Sequence, residues 1–226
     1  MAENTATAKP VTAVPRTAAR LSLVTAATFL VLLAALHLIK PELDPSWRMI
    51  SEYEIGDHGW IMRLAFLSLA FSCVALFVAI RSGIRAIGGR IGLALLLVSA
   101  LGMTIAAIFT TDPITASQDQ LTTHGTLHGL GALLGIPGFP IAATLISLSL
   151  ARNPAWFPVR RALLWTVGLV WISLLMFILF MAVRLPQSGG EFGPDVLIGW
   201  PNRLFMVANS VWLMAVAWRA ATLRGQ

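Results

Sequence analysis

Two histidines one helical turn apart, His124 and His128, follow Asp112 across a short polar stretch, and an apolar run begins at the first of them. At a spacing of i,i+4 the two imidazoles share a helix face and can reach one metal ion. Asp112, His37, His58 and Asp57 stand at similar depth on the same side to complete such a set, and a His/carboxylate shell suits zinc or a similar divalent metal. The competing reading is that the histidines cap the polar loop and pack between helices. A single haem held between His37 and one of the pair is a third use of the same groups. Ser51, just before Glu52 and Tyr53, is a candidate nucleophile that would take a histidine as its base, with Asp112 as the second catalytic candidate. No GxSxG-type turn surrounds Ser51, and capping a short helix is its ordinary role. Arg63 and Arg203 sit in the first turns of apolar segments, where an arginine pairs with an acid, holds a phosphate or reaches back to the headgroups. Asn202 beside Arg203, together with Tyr53 and His37, extends the list of candidate ligand-binding groups.

What must position these residues is a membrane bundle. Of 226 residues, 57% are hydrophobic and 12% charged, against about a quarter charged in a soluble domain. Runs of roughly 20 apolar residues long enough to span a bilayer occur at 21–39, 60–80, 91–110, 124–150, 162–183 and 202–218. The expected fold is all-α, with six transmembrane helices forming one domain over 21–219. Residues 1–20 are expected to be a disordered tail and 220–226 a short C-terminal one. The net charge of +6 does not point to nucleic acid, because the basic residues stand at the ends of apolar runs rather than in a patch interleaved with aromatics. The lone cysteine, Cys73, lies within an apolar run and reads as a packed thiol.

Charge asymmetry sets an orientation. With the N-terminus inside, eleven of the sixteen basic residues fall on the inner side, which predicts cytoplasmic termini. Nine of the ten acids and all four histidines then belong to the other side, so the polar candidates share one face. On that face, the segment 40–58 carries Trp47, Met49, Ile50 and Tyr53 at spacings that suit a short helix lying in the interface. The fourth run, with five glycines, Pro137 and Pro140, is expected to be kinked and central in the bundle. Three helix starts also echo one another, as HGWIMRL, HGTLHGL and IGWPNRL, aligning Gly59, Gly125 and Gly199.

The stretches SEYEIGDHGWIMRLAFL, TTDP with THGTLHGLGALLGIPGFPIAA, and WPNRLFMVANSVWL resemble the prokaryotic six-span membrane proteins grouped as domain of unknown function 998. The resemblance implies six spans and a plasma-membrane location, and it brings no activity. The order Ser51, His58, Asp112, His124, His128 is also similar to that of seven-span metal-dependent amide and ester hydrolases, the alkaline ceramidases among them. The chain departs from that group in span number and in the distance from serine to the first histidine. Two functions follow as expectations: a binding or accessory protein with a polar pocket for a lipid or small molecule at its outer face, or a zinc-type lipid hydrolase. A small transporter is the third and weakest, because no charged group falls near the middle of a span.

Overall fold

The computed structural model describes residues 14–223. Six helices account for most of them: α1 (Val14–Ile39), α2 (Gly59–Ile80), α3 (Ile87–Ile108), α4 (Thr123–Leu150), α5 (Arg160–Gln187) and α6 (Gly199–Thr222). All six are long and apolar enough to cross a bilayer. Each packs against its neighbours in the chain, α6 closes back on α1, and α2 meets α6 across the ring. The connections α1–α2, α3–α4 and α5–α6 gather at one end of this bundle, here the loop end. The described ends of the chain lie at the other, the terminal end.

The helices adhere through close backbone contact and a few polar bonds, as bundles in lipid must where no hydrophobic drive separates helix from solvent. Between α3 and α4 the contact is glycine on glycine. A Cβ on Gly102 would come 2.5 Å from the carbonyl oxygen of Gly131, and one on Gly131 would come 2.7 Å from that of Gly102. Ser72 on α2 donates to the Ser22 carbonyl on α1 (2.9 Å). The indole of Trp212 on α6 donates to Ser147 Oγ on α4 (2.9 Å), and that of Trp171 on α5 to Thr144 Oγ1 (2.8 Å). Outward-facing residues such as Val31, Leu133, Ile172 and Leu179 stay apolar and exposed, a surface for acyl chains.

Three expectations change. First, α1 begins at Val14 rather than after Arg20. Ala18 and Ala19 are buried, and Arg16 donates to the carbonyl of Leu223 at the end of α6, so this first stretch is held by the bundle. Residues 1–13 and 224–226, which include most of the expected tail, lie outside the described residues. Second, α4 stays one helix across Pro137 and Pro140, but it takes a place in the ring, and α2 and α6 are the more deeply buried helices. Gly131, Gly135 and Gly138 serve the α3 contact rather than a central position. Third, the middle of the segment between α1 and α2 turns into the bundle rather than lying along its surface. Its 3-10 turn, Ile50–Glu54, buries Ile50, Glu52, Tyr53 and Glu54 and closes the loop end of the ring.

The three echoed glycines share one task. At each, a loop presses on the first turn of a helix where a side chain would stand: the Glu54 carbonyl on Gly59, the Asp112 carboxylate on Gly125, and the backbone of Pro45, Trp47 and Arg48 on Gly199. Gly199 N–H also donates to the Ser46 carbonyl (2.9 Å). Gly199→Ala should therefore lower stability by about 1–3 kcal/mol through overpacking against backbone. Gly168→Ala, at an α5 position with open space around it, should be neutral or gain up to about 1 kcal/mol from helix propensity. Thermal unfolding midpoints in detergent would check the pair. Equal shifts would show that the loop yields at Gly199.

Candidate ligand-binding site

The plug formed by residues 40–58 is fastened by buried charge. Arg203, on the first turn of α6 and only 4% exposed, donates from Nε to His37 Nε2 (2.8 Å), from Nη1 to the carbonyls of Arg48 (2.6 Å) and Gly199 (3.1 Å), and from Nη2 to the Tyr53 hydroxyl (3.1 Å). His37 Nδ1 lies 2.7 Å from the Leu33 carbonyl on its own helix. That contact places the ring proton on Nδ1 and leaves Nε2 to accept from the guanidinium. Lys40, also buried, donates Nζ to the carbonyls of Tyr53 and Ile55. Asn202 Oδ1 accepts from the N–H of Ile50 (3.1 Å). Glu52 accepts from Arg48 Nη1 (2.7 Å), from Met49 N–H (3.0 Å) and from Ile114 N–H (3.0 Å), tying the plug to the α3–α4 loop. Buried charges satisfied in this way hold a loop that has few residues with which to build a core of its own.

A second polar group lies between α2, α3 and α4. His128 Nδ1–H donates to the carbonyls of Ala106 (3.1 Å) and Phe109 (2.9 Å), which the end of α3 leaves free. Glu54 Oε2 stands 3.5 Å from the same nitrogen. Among the described residues neither carboxyl oxygen of Glu54 receives a hydrogen bond. Glu54 is 2% exposed, and burial pushes its carboxyl above the ordinary 4.5, with His128 pulling the other way.

Below the plug is a cavity of about 310 Å³. Its walls are apolar or glycine, including Phe66, Met103, Ala132, Gly135 and Phe205. Polar groups occur at its mouth, from Ser51, Thr111, His128 and Asn202, and at Asn209. Asn209 lies seven residues beyond Asn202 on α6, about 10 Å deeper at helical rise. It is 1% exposed, and among the described residues its carboxamide makes no hydrogen bond. A wider vestibule of about 820 Å³ under the α3–α4 loop shares Met49, Ser51 and Thr111 with the cavity, so these three residues stand where the two meet.

The sequence candidates thus divide. Ser51, His128 and Asn202 reach the cavity, while Tyr53, His37 and Arg203 form the clamp beside it. Arg63 is exposed and donates to Thr110 Oγ1 on the opposite flank. Asp112 accepts from the N–H and hydroxyl of Thr122 (2.8 Å each), and Thr122 Oγ1 in turn caps α4 through Gly125 N–H. His124 is exposed and lies edge-on to Phe109, ring centroids 5.5 Å apart. His58 occupies an exposed left-handed turn before α2. The residues do not fit the expected zinc shell. The α4 face that carries both histidines turns His128 into the α3 carbonyls and leaves His124 outside Phe109. Among the described residues no three of His, Cys, Asp and Glu converge on a metal-sized point. Sequence reasoning passed over Glu54, Lys40 and Asn209. The first two looked like ordinary loop charges, whereas Asn209 carried a usable signal: an amide inside an apolar span, at i+7 from Asn202 and so on the same face.

Two outcomes follow from this geometry. Arg203→Lys keeps the charge but loses the fork, and it should cost about 1–3 kcal/mol for each acceptor left without a donor. Arg63→Lys should stay within about 0.5 kcal/mol. Chemical or thermal unfolding in detergent separates them, and equal losses would remove the clamp from the account. Glu54 gives a pH-dependent outcome. A carboxyl that holds its proton more tightly folded than unfolded contributes stability that is full below 4.5 and declines as pH climbs through its folded value. Glu54→Gln should match the unsubstituted protein near pH 4 and be relatively more stable near pH 8. Parallel stability curves over that range would contradict this.

The chain matches no curated protein and no solved structure. A family model does match, over residues 23–219, which takes in most of each of the six helices and every residue of the clamp and the cavity beneath it. The chain accordingly belongs to the family described as protein of unknown function (DUF998).

Proposed function

We propose that this chain is a membrane-embedded binding protein for a small amphipathic molecule, taken up at the loop end. The observation that carries the reading is the cavity: apolar walls, a polar mouth, and one amide at depth with nothing to bond. A ligand with an apolar body would displace little ordered solvent from such walls, and its polar end would meet Ser51, Thr111, His128 and Asn202. Its volume suits a small molecule or part of a lipid chain rather than a whole phospholipid.

The orientation belongs to the same proposal. Eleven of sixteen basic residues on the side of the chain ends support cytoplasmic termini in the plasma membrane, with the cavity facing outward. A sensing or accessory role fits a pocket enclosed by a loop plug. The metal-dependent hydrolase is the poorer reading, because Asp112 and Thr122 are spent on capping α4 and the two histidines part company.

Ala132 lines the cavity and is small. Mass spectrometry of small molecules extracted from the purified protein is expected to find an amphiphile retained in near-stoichiometric amount. Ala132→Phe should lower that amount by about tenfold or more, as a clash of roughly 1.4 kcal/mol would, with its unfolding midpoint little changed. Equal retention in the filled variant, or no retained molecule in either protein, would defeat the proposal.

A further inference from the structure

The terminal end of the bundle holds a second cavity, of about 410 Å³, between the ends of α1, α2 and α6 and the α4–α5 connection. Its lining is rich in hydrogen-bond donors. Arg16 and Arg219 both face it, with Ser82 and Asn153. Arg16 uses Nε and Nη2 on the Leu223 carbonyl (3.1 and 2.9 Å), and its other N–H groups meet no further partner among the described residues. Arg219 uses Nη2 on the Ala155 carbonyl, while its buried Nε makes no hydrogen bond. Asn153 accepts the Ala155 N–H at Oδ1 (3.0 Å), so its amide NH₂ is left to donate.

Among the described residues no acid answers these cations. The stretches 14–30, 75–95, 145–165 and 210–223, which make up this end, contain no Asp or Glu. Two guanidiniums beside one cavity, without a carboxylate, form a site for an oxyanion, and arginine's fork matches phosphate in particular. Depth narrows the source. Trp218, next to Arg219, and Trp165 on α5 are large, exposed indoles at this end, and exposed tryptophans settle at headgroup level. A phosphate at that depth belongs to a lipid.

We propose that this cavity binds the phosphate of an anionic phospholipid headgroup between Arg16 and Arg219. The site is independent of the loop-end cavity and of what that cavity takes. The phosphate is the chemistry shared by a lipid headgroup and the free ion, so the test carries both. The full-length protein in uncharged detergent is titrated with short-chain phosphatidylglycerol, with phosphatidylcholine, or with inorganic phosphate, and affinity is read from the shift in unfolding midpoint or by native mass spectrometry.

Phosphatidylglycerol is expected to bind more tightly than phosphatidylcholine. Arg16→Gln and Arg219→Gln should each weaken it by about fivefold, the equivalent of about 1 kcal/mol per basic residue at a membrane surface. Arg161→Gln, an exposed cation at the same end but outside the cavity, should leave affinity unchanged. Arg219→Lys guards against a folding defect: it keeps charge and should retain more affinity than the glutamine variant. Tight binding of inorganic phosphate alone, lost in the same variants, would uphold phosphate recognition and assign it to the free ion, overturning the lipid source. Equal binding of both lipids, or equal weakening by Arg161→Gln, would overturn the site, since the effect would then be a general property of a basic surface.

Discussion

A guanidinium taken out of water must be met on every side or it does not stay folded. Arg203 meets that condition with neutral acceptors drawn from three separate places: an imidazole on α1, a hydroxyl and a carbonyl on the plug, and a carbonyl on its own helix. No carboxylate is hydrogen-bonded to it. The arrangement works only when α1, α6 and residues 48–53 are all in place, so the bond set acts as a single joint rather than as four contacts. Lys40 repeats the principle one turn away by capping the carbonyls of Tyr53 and Ile55. Both cations are held by uncharged acceptors, so the clamp at these two residues does not depend on a partner carboxylate.

The joint dictates where the space lies. A plug drawn towards α1 and α6 leaves the α3–α4 side to be closed by something else, and glycine contact does that by bringing α3 and α4 together at Gly102 and Gly131. Where those backbones touch, no side chains remain to fill the middle of the ring. The cavity lined by Gly102, Gly131 and Gly135 on one side and by Asn202 to Asn209 on the other is the space that results. His128 belongs to both structures, since its Nδ1 closes the α3 end while the ring forms part of the cavity mouth.

Much of the fold was legible because bilayer physics is coarse. Six apolar runs, their ends marked by arginine, are enough to place six helices within a few residues, and α1 departed only because Ala18 and Ala19 pack where composition suggested a loose tail. The site was legible by residue type more than by partner. His37, Tyr53, Asn202, Arg203 and Arg63 were read as ligand-binding groups; the structure joins His37, Tyr53 and Arg203 to one another and Asn202 to the plug, and leaves Arg63 apart on Thr110. Period and spacing cannot say which way a histidine turns, however. The i,i+4 pair on α4 looked like a metal motif because both rings share a face, and one more fact, that α3 ends in open carbonyls beside that face, redirects His128 entirely. The acids Glu52 and Glu54 were equally opaque, since nothing in SEYE distinguishes an acid drawn into the bundle from one left in water.

The two ends of the bundle solve the same electrostatic problem in opposite ways. At the loop end, buried cations and acids are interleaved with carbonyls and hydroxyls, so most buried charges find their answer inside the protein, with Glu54 as the exception, its carboxyl pushed up by burial. At the terminal end, the arginines find no acid among the described residues, and those lining the cavity reach backbone carbonyls instead. A bilayer makes that asymmetry workable, because phosphates lie within reach of side chains that stand at the headgroups. The protein therefore closes one face on itself, around a space with an unanswered amide, and leaves the charge of the other face to be completed by its surroundings.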